Sequence, residues 1–221
     1  MSIETEQNET EHLEVPDNKP NPKKRSFYRK LLDWSIVILA AFVLSQALRI
    51  WVFASFYIPS GSMETTLLIN DKILVNKLAY DFHGVSRGDI VVFSNPPADT
   101  AEAPGTDLVK RVIGLPGETI WSAPNGTIYI NGKPLSEPWL NQSAIKDPGL
   151  RVCSVLVTQR EATGNTSCTP YKIPANSYFM MGDNRGFSMD SRYFGAVNKA
   201  YFVGKVDLIY WRHGFIYFHL F

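Results

Sequence analysis

The sequence predicts a mainly β fold, in which an antiparallel β-sheet domain follows one N-terminal transmembrane helix and carries a less regular inserted subdomain. Three observations support this fold class. A long run near the N-terminus has no charged residue, the body of the chain is a succession of short runs of β-branched and aromatic residues, and one later stretch has neither pattern. The length of 221 residues suffices for one sizeable domain and an anchor.

Residues 1–30 are predicted to form a disordered tail. Residues 1–18 carry six acidic residues and no lysine or arginine, whereas residues 19–30 carry six basic residues and no acidic one. A polar segment with few large apolar residues buries too little surface to offset the entropy of ordering. We therefore expect this tail to lack fixed structure.

Residues 31–53 are predicted to form a transmembrane anchor. None of residues 34–48 is charged, and a helix needs about 20 residues to cross the hydrocarbon core of a bilayer. Basic residues that flank an anchor stay in the cytoplasm, so the tail should be cytoplasmic and residues 54–221 extracytoplasmic. The sequence therefore predicts a single-pass protein of the cell membrane, in contact with lipid.

Two other interpretations of the apolar run are a cleaved signal peptide and a buried helix of a soluble protein. A signal peptide is disfavoured because the basic region lies some 20 residues inside the chain and no small-residue cleavage site closes the run. An uncleaved anchor remains the favoured interpretation.

Residues 54–221 are predicted to be rich in β-strands. Six short segments of β-branched and aromatic residues are bounded by Gly, Pro, Asn or Asp, namely residues 72–80, 89–93, 108–114, 127–130, 177–181 and 203–211. Asn131-Gly132 is a strong signal for a tight turn. Residues 131–176 are rich in Pro, Ser and Asn and are weakly patterned, which indicates an insertion.

Both cysteines, Cys153 and Cys168, lie in the predicted insertion. An even number of cysteines in an exported domain predicts a disulfide that closes a small loop, and two buried thiols are the alternative. Two cysteines and four scattered histidines do not favour a metal site. The net charge of +1 gives no general attraction to nucleic acid. We expect a monomer without a metal or cofactor.

The segment of residues 56–68 contains the first candidate for chemistry. An apolar run leads into Pro59, which fixes φ, and Gly61, which permits a tight turn. Ser62 follows this turn and could present its hydroxyl and its backbone N–H to one point, as a nucleophile beside an oxyanion hole requires. Taken alone, the pattern is weak and is more often that of an ordinary loop.

A serine nucleophile needs a base, for which Lys110 is the candidate. It lies in a predicted strand among apolar residues, and burial lowers the pKa of a lysine by several units. Strand alternation places Lys110 and Arg111 on opposite faces, so that one could be buried and the other solvated. An exposed lysine at a strand edge is the alternative, and His83 is the next candidate for the base.

Residues 181–195 form a dense polar segment. Seven polar or charged residues fall within ten positions, which indicates a hydrogen-bonded network in which Asp–Arg pairs hold a loop. A solvated turn is the alternative.

Three motifs together resemble the bacterial type I signal peptidases, which are membrane proteases with a Ser–Lys dyad in peptidase family S26. IPSGSM, DLVKRVIGLPGE and GDNR-x-x-S-x-DSRYFG occur in the order and spacing of that family, behind an N-terminal anchor. The resemblance covers the anchor and nearly all of residues 54–221. It implies a serine endopeptidase that removes N-terminal signal peptides from exported preproteins and cuts after small residues of the Ala-x-Ala type.

The resemblance also implies a role for individual residues. Ser62 becomes the nucleophile and Lys110 the general base. Ser60 becomes an oxyanion-hole donor through its hydroxyl, and Ser188 would form a hydrogen bond to the Lys110 amine and orient it. The structural polar network comprises Asp89, Asp183, Arg185, Asp190 and Arg192.

Two positions depart from the family pattern. Thr65 stands where the family usually has proline, and Gly186-Phe187 stands where the last motif commonly has Asp-Asn. Neither change removes a catalytic group, but both affect turns beside the site.

An extended substrate is expected to pair with the strands that enter Ser62 and Lys110. Its side chains would then alternate into shallow pockets, whose predicted walls are Phe56, Ile58, Met63, Leu67, Val92 and Val109. Two other functions remain: a related Ser–Lys membrane protease with one dedicated substrate, and a non-enzymatic, membrane-tethered binding domain.

Overall fold

The structure is a computed structural model that describes residues 22–94, 105–140, 152–153 and 169–221. The chain divides into two units, Met1–Gln46 and Ala47–Phe221. Helix α1, Pro22–Trp51, accounts for all of the described part of the first unit and reaches into the second. Every described strand belongs to the second unit.

Helix α1 is long and apolar enough to cross a membrane over Phe27–Arg49. Its start differs from the prediction, because residues 22–30 were expected to be disordered and are instead helical. Proline is well suited to the first helical position, where its missing N–H is not needed, and the lysines and arginines that follow are good helix formers. The helix ends at Trp51, two residues before the predicted end of the anchor. Residues 1–21 of the predicted tail lie outside the described residues.

The second unit is built from twelve described strands, two 3-10 helices at Gly61–Met63 and Lys199–Tyr201, and two short α-helices. The α-helices are α2, Ala79–Phe82, and α3, Ser191–Phe194. The strands are β1 Phe53–Tyr57, β2 Lys72–Asn76, β3 Ile90–Ser94, β4 Asp107–Gly114, β5 Thr119–Ser122, β6 Ile128–Ile130, β7 Lys133–Pro134, β8 Tyr171–Lys172, β9 Ser177–Met181, β10 Val197–Asn198, β11 Phe202–Arg212 and β12 Phe215–Leu220.

Two antiparallel sheets contain these strands. The larger sheet has the order β1-β2-β11-β3-β4-β9-β10, and β12 pairs with β11. The smaller sheet has the order β7-β6-β5-β8. The prediction of a mainly β fold with one N-terminal apolar helix is therefore confirmed.

All six predicted strand segments contain a strand, with small differences in length. The largest difference is in the first segment, residues 72–80, where β2 ends at Asn76 and Ala79–Phe82 forms a helical turn. The apolar run near the C-terminus forms β12.

The predicted insertion, residues 131–176, is less separate than expected. Its described residues contribute β7 and β8 to the smaller sheet, on either side of β5 and β6. Ile173 from the same region packs in a buried cluster with Ile113 and Phe179 of the larger sheet and Ile120 of the smaller one. Burial of these apolar side chains joins the two sheets.

Candidate active site

Ser62 and Lys110 meet, although 48 residues separate them. Ser62 lies in a short 3-10 helix, Gly61–Met63, shortly after β1, and Lys110 lies in β4. Lys110 Nζ is 2.8 Å from Ser62 Oγ and also donates to the carbonyl oxygen of Val109 at 3.1 Å. Lys110 is only 3% exposed. A buried amine in contact with a half-buried hydroxyl is the arrangement that a serine nucleophile and a lysine base require.

The backbone of the nucleophile turn is held by the polar segment after β9. The backbone N–H of Asn184 donates to the carbonyl oxygen of Ser62 at 3.1 Å, and its side-chain amide donates to that of Gly61 at 3.0 Å. Gly182 lies so close that a Cβ there would come within 2.4 Å of the Ser62 carbonyl oxygen. The contact therefore requires glycine at this position.

Ser60 precedes the nucleophile turn in an extended conformation. It is exposed. It lines two cavities that Ser62 and Lys110 also line, one between β1 and β4 and one beside the segment after β9. Ser60 therefore borders the same space as Ser62 and Lys110.

Ser188 does not make the predicted hydrogen bond to Lys110. Its hydroxyl is buried and has no hydrogen-bond partner among the described residues. It faces the backbone of Gly182, where a Cβ added to the glycine would lie 2.3 Å from Ser188 Oγ. The residue nevertheless lines a cavity together with Lys110.

Arg111 is buried beside the dyad and is not solvated. It is 5% exposed and makes a bidentate contact with Asp183, through Nε at 2.9 Å and Nη2 at 2.6 Å. Thr66 Oγ1 donates to the same carboxylate at 2.5 Å. One buried and one solvated residue at 110 and 111 is not what the structure shows, because the two side chains are covered by different neighbours. Lys110 contacts Ser62, whereas Arg111 pairs with Asp183 and lies over the Trp139 ring at 5.1 Å.

Asp190 and Arg192 form a second buried pair. Asp190 caps helix α3 by accepting from the backbone N–H of Arg192, and it also accepts from Gly182. Arg192 Nε and Nη2 donate to its two carboxylate oxygens, each at 2.9 Å. Burial alone would raise the pKa of Asp190, but the Arg192 charge and these hydrogen bonds hold that pKa below its ordinary value.

Arg185 pairs with Glu137, a partner that the sequence analysis missed. Two guanidinium nitrogens contact the two carboxylate oxygens, one of them at 3.1 Å, and Arg185 Nε donates to the carbonyl oxygen of Gly182. Asp89, also predicted to be structural, accepts from the backbone of Ser86 and forms an ion pair with Lys205 at 3.0 Å. All five residues of the predicted network thus make polar contacts.

A cavity of about 170 Å³ lies between the end of β1 and the start of β4, next to the dyad. Five of the six predicted wall residues line it: Phe56, Ile58, Met63, Val92 and Val109. Leu67 does not, because it is fully buried in the apolar core beneath the site. Residues 106–108 also line the cavity, and the sequence analysis did not identify them as walls.

Alternative catalytic groups lie elsewhere in the described part of the chain. His83 is exposed at the end of α2, and neither His213 nor His219 lines a cavity that contains Ser62. In the ranges that the structure describes, no group of three or more metal-ligating side chains occurs. His12 and Cys168 lie outside the described residues.

Comparison with known proteins places this geometry in a family. The model of the family described as signal peptidase, peptidase S26, matches residues 31–211. Signal peptidase I of Leptolyngbya laminosa is 32% identical over 200 residues, which cover 90% of this chain and 88% of that protein. Signal peptidase IB of Staphylococcus aureus strain Mu50 is 34% identical over 183 residues, which cover 83% of this chain and 91% of that protein.

A crystal structure of a signal peptidase I from Enterococcus faecalis V583 is 33% identical, with a TM-score of 0.42, and covers 56% of this chain and 97% of its own. The family match spans most of the chain, and both relatives are matched over most of their length. The predicted resemblance is therefore confirmed, and the chain belongs to the signal peptidase family, peptidase S26.

Proposed function

We propose that this protein is the endopeptidase that removes N-terminal signal peptides from exported preproteins, with Ser62 as nucleophile and Lys110 as general base. The observation that carries the proposal is the 2.8 Å contact between Lys110 Nζ and Ser62 Oγ in a chain of the signal peptidase family. Burial disfavours the ammonium form of a lysine, so the amine can accept the serine proton.

The reaction proceeds in two steps. Lys110 Nζ takes the proton of Ser62 Oγ as the oxygen attacks the scissile carbonyl carbon, and the ammonium then returns a proton to the leaving amine as the peptide C–N bond breaks. Water next attacks the acyl-enzyme ester with Lys110 again as base, which releases the signal peptide and restores the Ser62 hydroxyl. The Ser62 backbone N–H and the Ser60 hydroxyl stabilise the oxyanion in both steps.

Substrate binding uses the exposed strand edges beside the dyad. Among the described strands, β1 pairs only with β2, and residues 107–110 of β4 pair only with β3. An extended peptide can therefore add its backbone to one or both of these edges. The cavity of about 170 Å³ between them, with its apolar walls, accepts small side chains before the cut, which accounts for a preference of the Ala-x-Ala type.

The membrane arrangement is part of the proposal. Helix α1 anchors the chain in lipid, with residues 1–30 in the cytoplasm and residues 54–221 outside, as the basic residues before the apolar run favour. On the outside, the protein acts as a monomer. The outer face of β12, with Ile216, Phe218 and Leu220 exposed, suits the apolar side of a membrane interface.

A disulfide between Cys153 and Cys168 is also proposed. Cys153 is buried, and no cysteine among the described residues is free. The backbone N–H of its neighbour Val152 donates to Ser122 Oγ of β5, and the backbone N–H of Ser122 donates to the carbonyl oxygen of Val152. One end of the loop is thereby held against the smaller sheet.

The decisive experiment is incubation of the full chain, in detergent micelles, with a secretory precursor. We expect one cut after the Ala-x-Ala site, and loss of cleavage in Ser62→Ala and in Lys110→Ala. Ser86→Ala and Lys133→Ala, both at exposed positions outside the two cavities that contain Ser62, are matched controls that should retain activity. Cleavage by Ser62→Ala would refute the assignment. A panel of unrelated precursors distinguishes a broad enzyme from one with a dedicated substrate.

A further inference from the structure

A second cavity lies beside the dyad. Its volume is about 440 Å³, and it shares Ser60, Ser62 and Lys110 with the smaller cavity between β1 and β4. Its other walls come from the segment after β9 and from helix α3: Gly186, Phe187, Ser188, Met189 and Tyr193. We call it the loop cavity. The two cavities therefore meet at the reacting groups.

A peptide that is cut at Ser62 must extend on both sides of the nucleophile. On the proposed function, the residues before the cut are small and pair with β1 or β4, which places them at the smaller cavity. The residues after the cut then continue toward the loop cavity, which is more than twice as large. This assignment follows because the scissile carbonyl lies at the groups that both cavities share.

The walls of the loop cavity are suited to an apolar side chain. Phe187 is 70% exposed and Met189 is 40% exposed, so these two apolar side chains offer surface that an apolar ligand in the cavity can cover. Among the described residues that line the cavity, Lys110 alone is charged. A methionine also adapts its shape to different ligands because its side chain is unbranched and flexible.

The position of Phe187 relative to the nucleophile is fixed by the backbone. The N–H of Phe187 donates to the carbonyl oxygen of Asn184 at 3.0 Å, and the N–H of Asn184 donates to that of Ser62 at 3.1 Å. Two hydrogen bonds thus connect the aromatic residue to the reacting serine.

We propose that the loop cavity is the binding site for the leaving side of the substrate and that Phe187, with Met189, selects an apolar or aromatic residue at the first or second position after the cut. The inference rests on the proposed function. It adds a preference for the start of the mature protein to the preference for small residues before the cut.

The test is a set of precursor peptides that share one Ala-x-Ala site and differ only after it, with Ser, Leu or Phe at the first or second position. With the full chain in micelles, kcat/KM should be about fivefold or more higher for Leu or Phe than for Ser at one of these positions, as expected when an apolar side chain leaves water. Phe187→Ser should bring that ratio close to one, whereas Phe187→Leu should retain most of it.

Phe82→Ser is the matched control, because Phe82 is 76% exposed on α2 and lines neither cavity; its ratio should equal that of the unmodified protein. A ratio near one in the unmodified protein, or an unchanged ratio in Phe187→Ser, would overturn the inference while leaving the protease assignment intact.

A binding measurement separates the two hypotheses further. Peptides that contain only the residues after the cut are titrated into Ser62→Ala protein, which cannot turn over. The Leu- or Phe-containing peptide should bind more tightly than its Ser counterpart, and Phe187→Ser should remove the difference. Equal binding of all three peptides contradicts the loop-cavity assignment even if no precursor is cut, whereas absent cleavage alone contradicts only the proposed function.

Discussion

The backbone N–H of Asn184 donates a 3.1 Å hydrogen bond to the carbonyl oxygen of Ser62. The Asn184 side chain reaches the adjacent carbonyl of Gly61 at 3.0 Å, so one residue holds two successive peptide groups of the nucleophile turn. The turn that follows β9 therefore supports the backbone of Ser62 and also forms a wall of the loop cavity. Its effect on catalysis can be measured without touching Ser62 or Lys110.

We expect Asn184→Asp to lower kcat by about tenfold or more with little change in KM. A carboxylate cannot donate to the Gly61 carbonyl oxygen, and small displacements of a reacting group cost up to about 10²-fold in rate. Asn184 lines neither cavity, so substrate binding should persist. The control is Asn125→Asp, since Asn125 uses its side-chain oxygen as an acceptor in a surface turn. Unchanged kcat in Asn184→Asp would show that the side-chain contact is dispensable.

Loss of Arg111 from its ion pair with Asp183 should destabilise the fold far more than loss of Lys205 from its ion pair with Asp89. Both Arg111 and Asp183 are buried, and removal of one partner of a buried pair leaves an uncompensated charge that costs about 3–5 kcal/mol. Lys205 is partly exposed, and exposed pairs contribute about 0–1 kcal/mol. Denaturant unfolding of Arg111→Ala and Lys205→Ala in micelles measures both. Equal losses would contradict this contrast.

The sequence predicted that Ser62 and Lys110 would meet and where the strands lie, but not the pattern of buried charge. Lys110 and Ser62 could be named because each lies in a recognisable motif. Strand alternation suggested that one of Lys110 and Arg111 would be solvated. Both are buried, Lys110 at 3% and Arg111 at 5% exposure, because Lys110 contacts Ser62 and the charge of Arg111 is compensated by Asp183, just after β9.

Partners that are remote in sequence carried no local signal. Glu137 lies in the segment that the sequence indicates to be an insertion, and its contact with Arg185 depends on how the two sheets meet. Leu67 was expected at the substrate site because apolar walls and apolar core have the same composition. The start of helix α1 at Pro22 was missed because composition indicates which segments are polar but not which polar segments are helical.

The proposed disulfide should stabilise the domain and leave catalysis unchanged. A bond that closes a loop of about 15 residues contributes about 3 kcal/mol, and Cys153 lines neither cavity beside Ser62. We expect Cys153→Ser and Cys168→Ser to lower the free energy of unfolding equally, with kcat/KM within about twofold of the unmodified value. Thiol labelling of the unfolded, unreduced protein at both cysteines would disprove the bond.

Acid should destabilise the protein in part through Asp190. The pKa of Asp190 is lowered in the folded state: burial opposes ionisation, but the Arg192 charge and backbone hydrogen bonds outweigh it. A carboxylate with a lowered folded pKa contributes stability that is full above its unfolded pKa, about 3.9, and is lost as pH falls through the folded value.

We therefore expect Asp190→Asn to be less stable than the unmodified protein at neutral pH, with a smaller further loss on acidification. Asp81→Asn, at an exposed position on α2, is the control and should keep the full acid dependence. The measurement is the free energy of unfolding between about pH 2 and pH 6. If the free energy of unfolding falls with pH equally in Asp190→Asn and in the unmodified protein, Asp190 does not contribute to the acid sensitivity.

The pH dependence of cleavage tests the identity of the base. A lysine accepts the Ser62 proton only as the neutral amine, so kcat/KM should rise as pH increases through the pKa of Lys110 in the free enzyme. Lys110 is 3% exposed, and burial disfavours the ammonium form, so the midpoint should lie clearly below the ordinary lysine value of about 10.4. This rise of kcat/KM with pH should remain when all four histidines are replaced together: His12, His83, His213 and His219. If the midpoint instead lies at about 6.5, the ordinary pKa of histidine, and the rise of kcat/KM with pH disappears when His83 alone is replaced, then a histidine is the base. None of the three described histidines lines either of the two cavities beside Ser62, so the geometry favours Lys110 as the base.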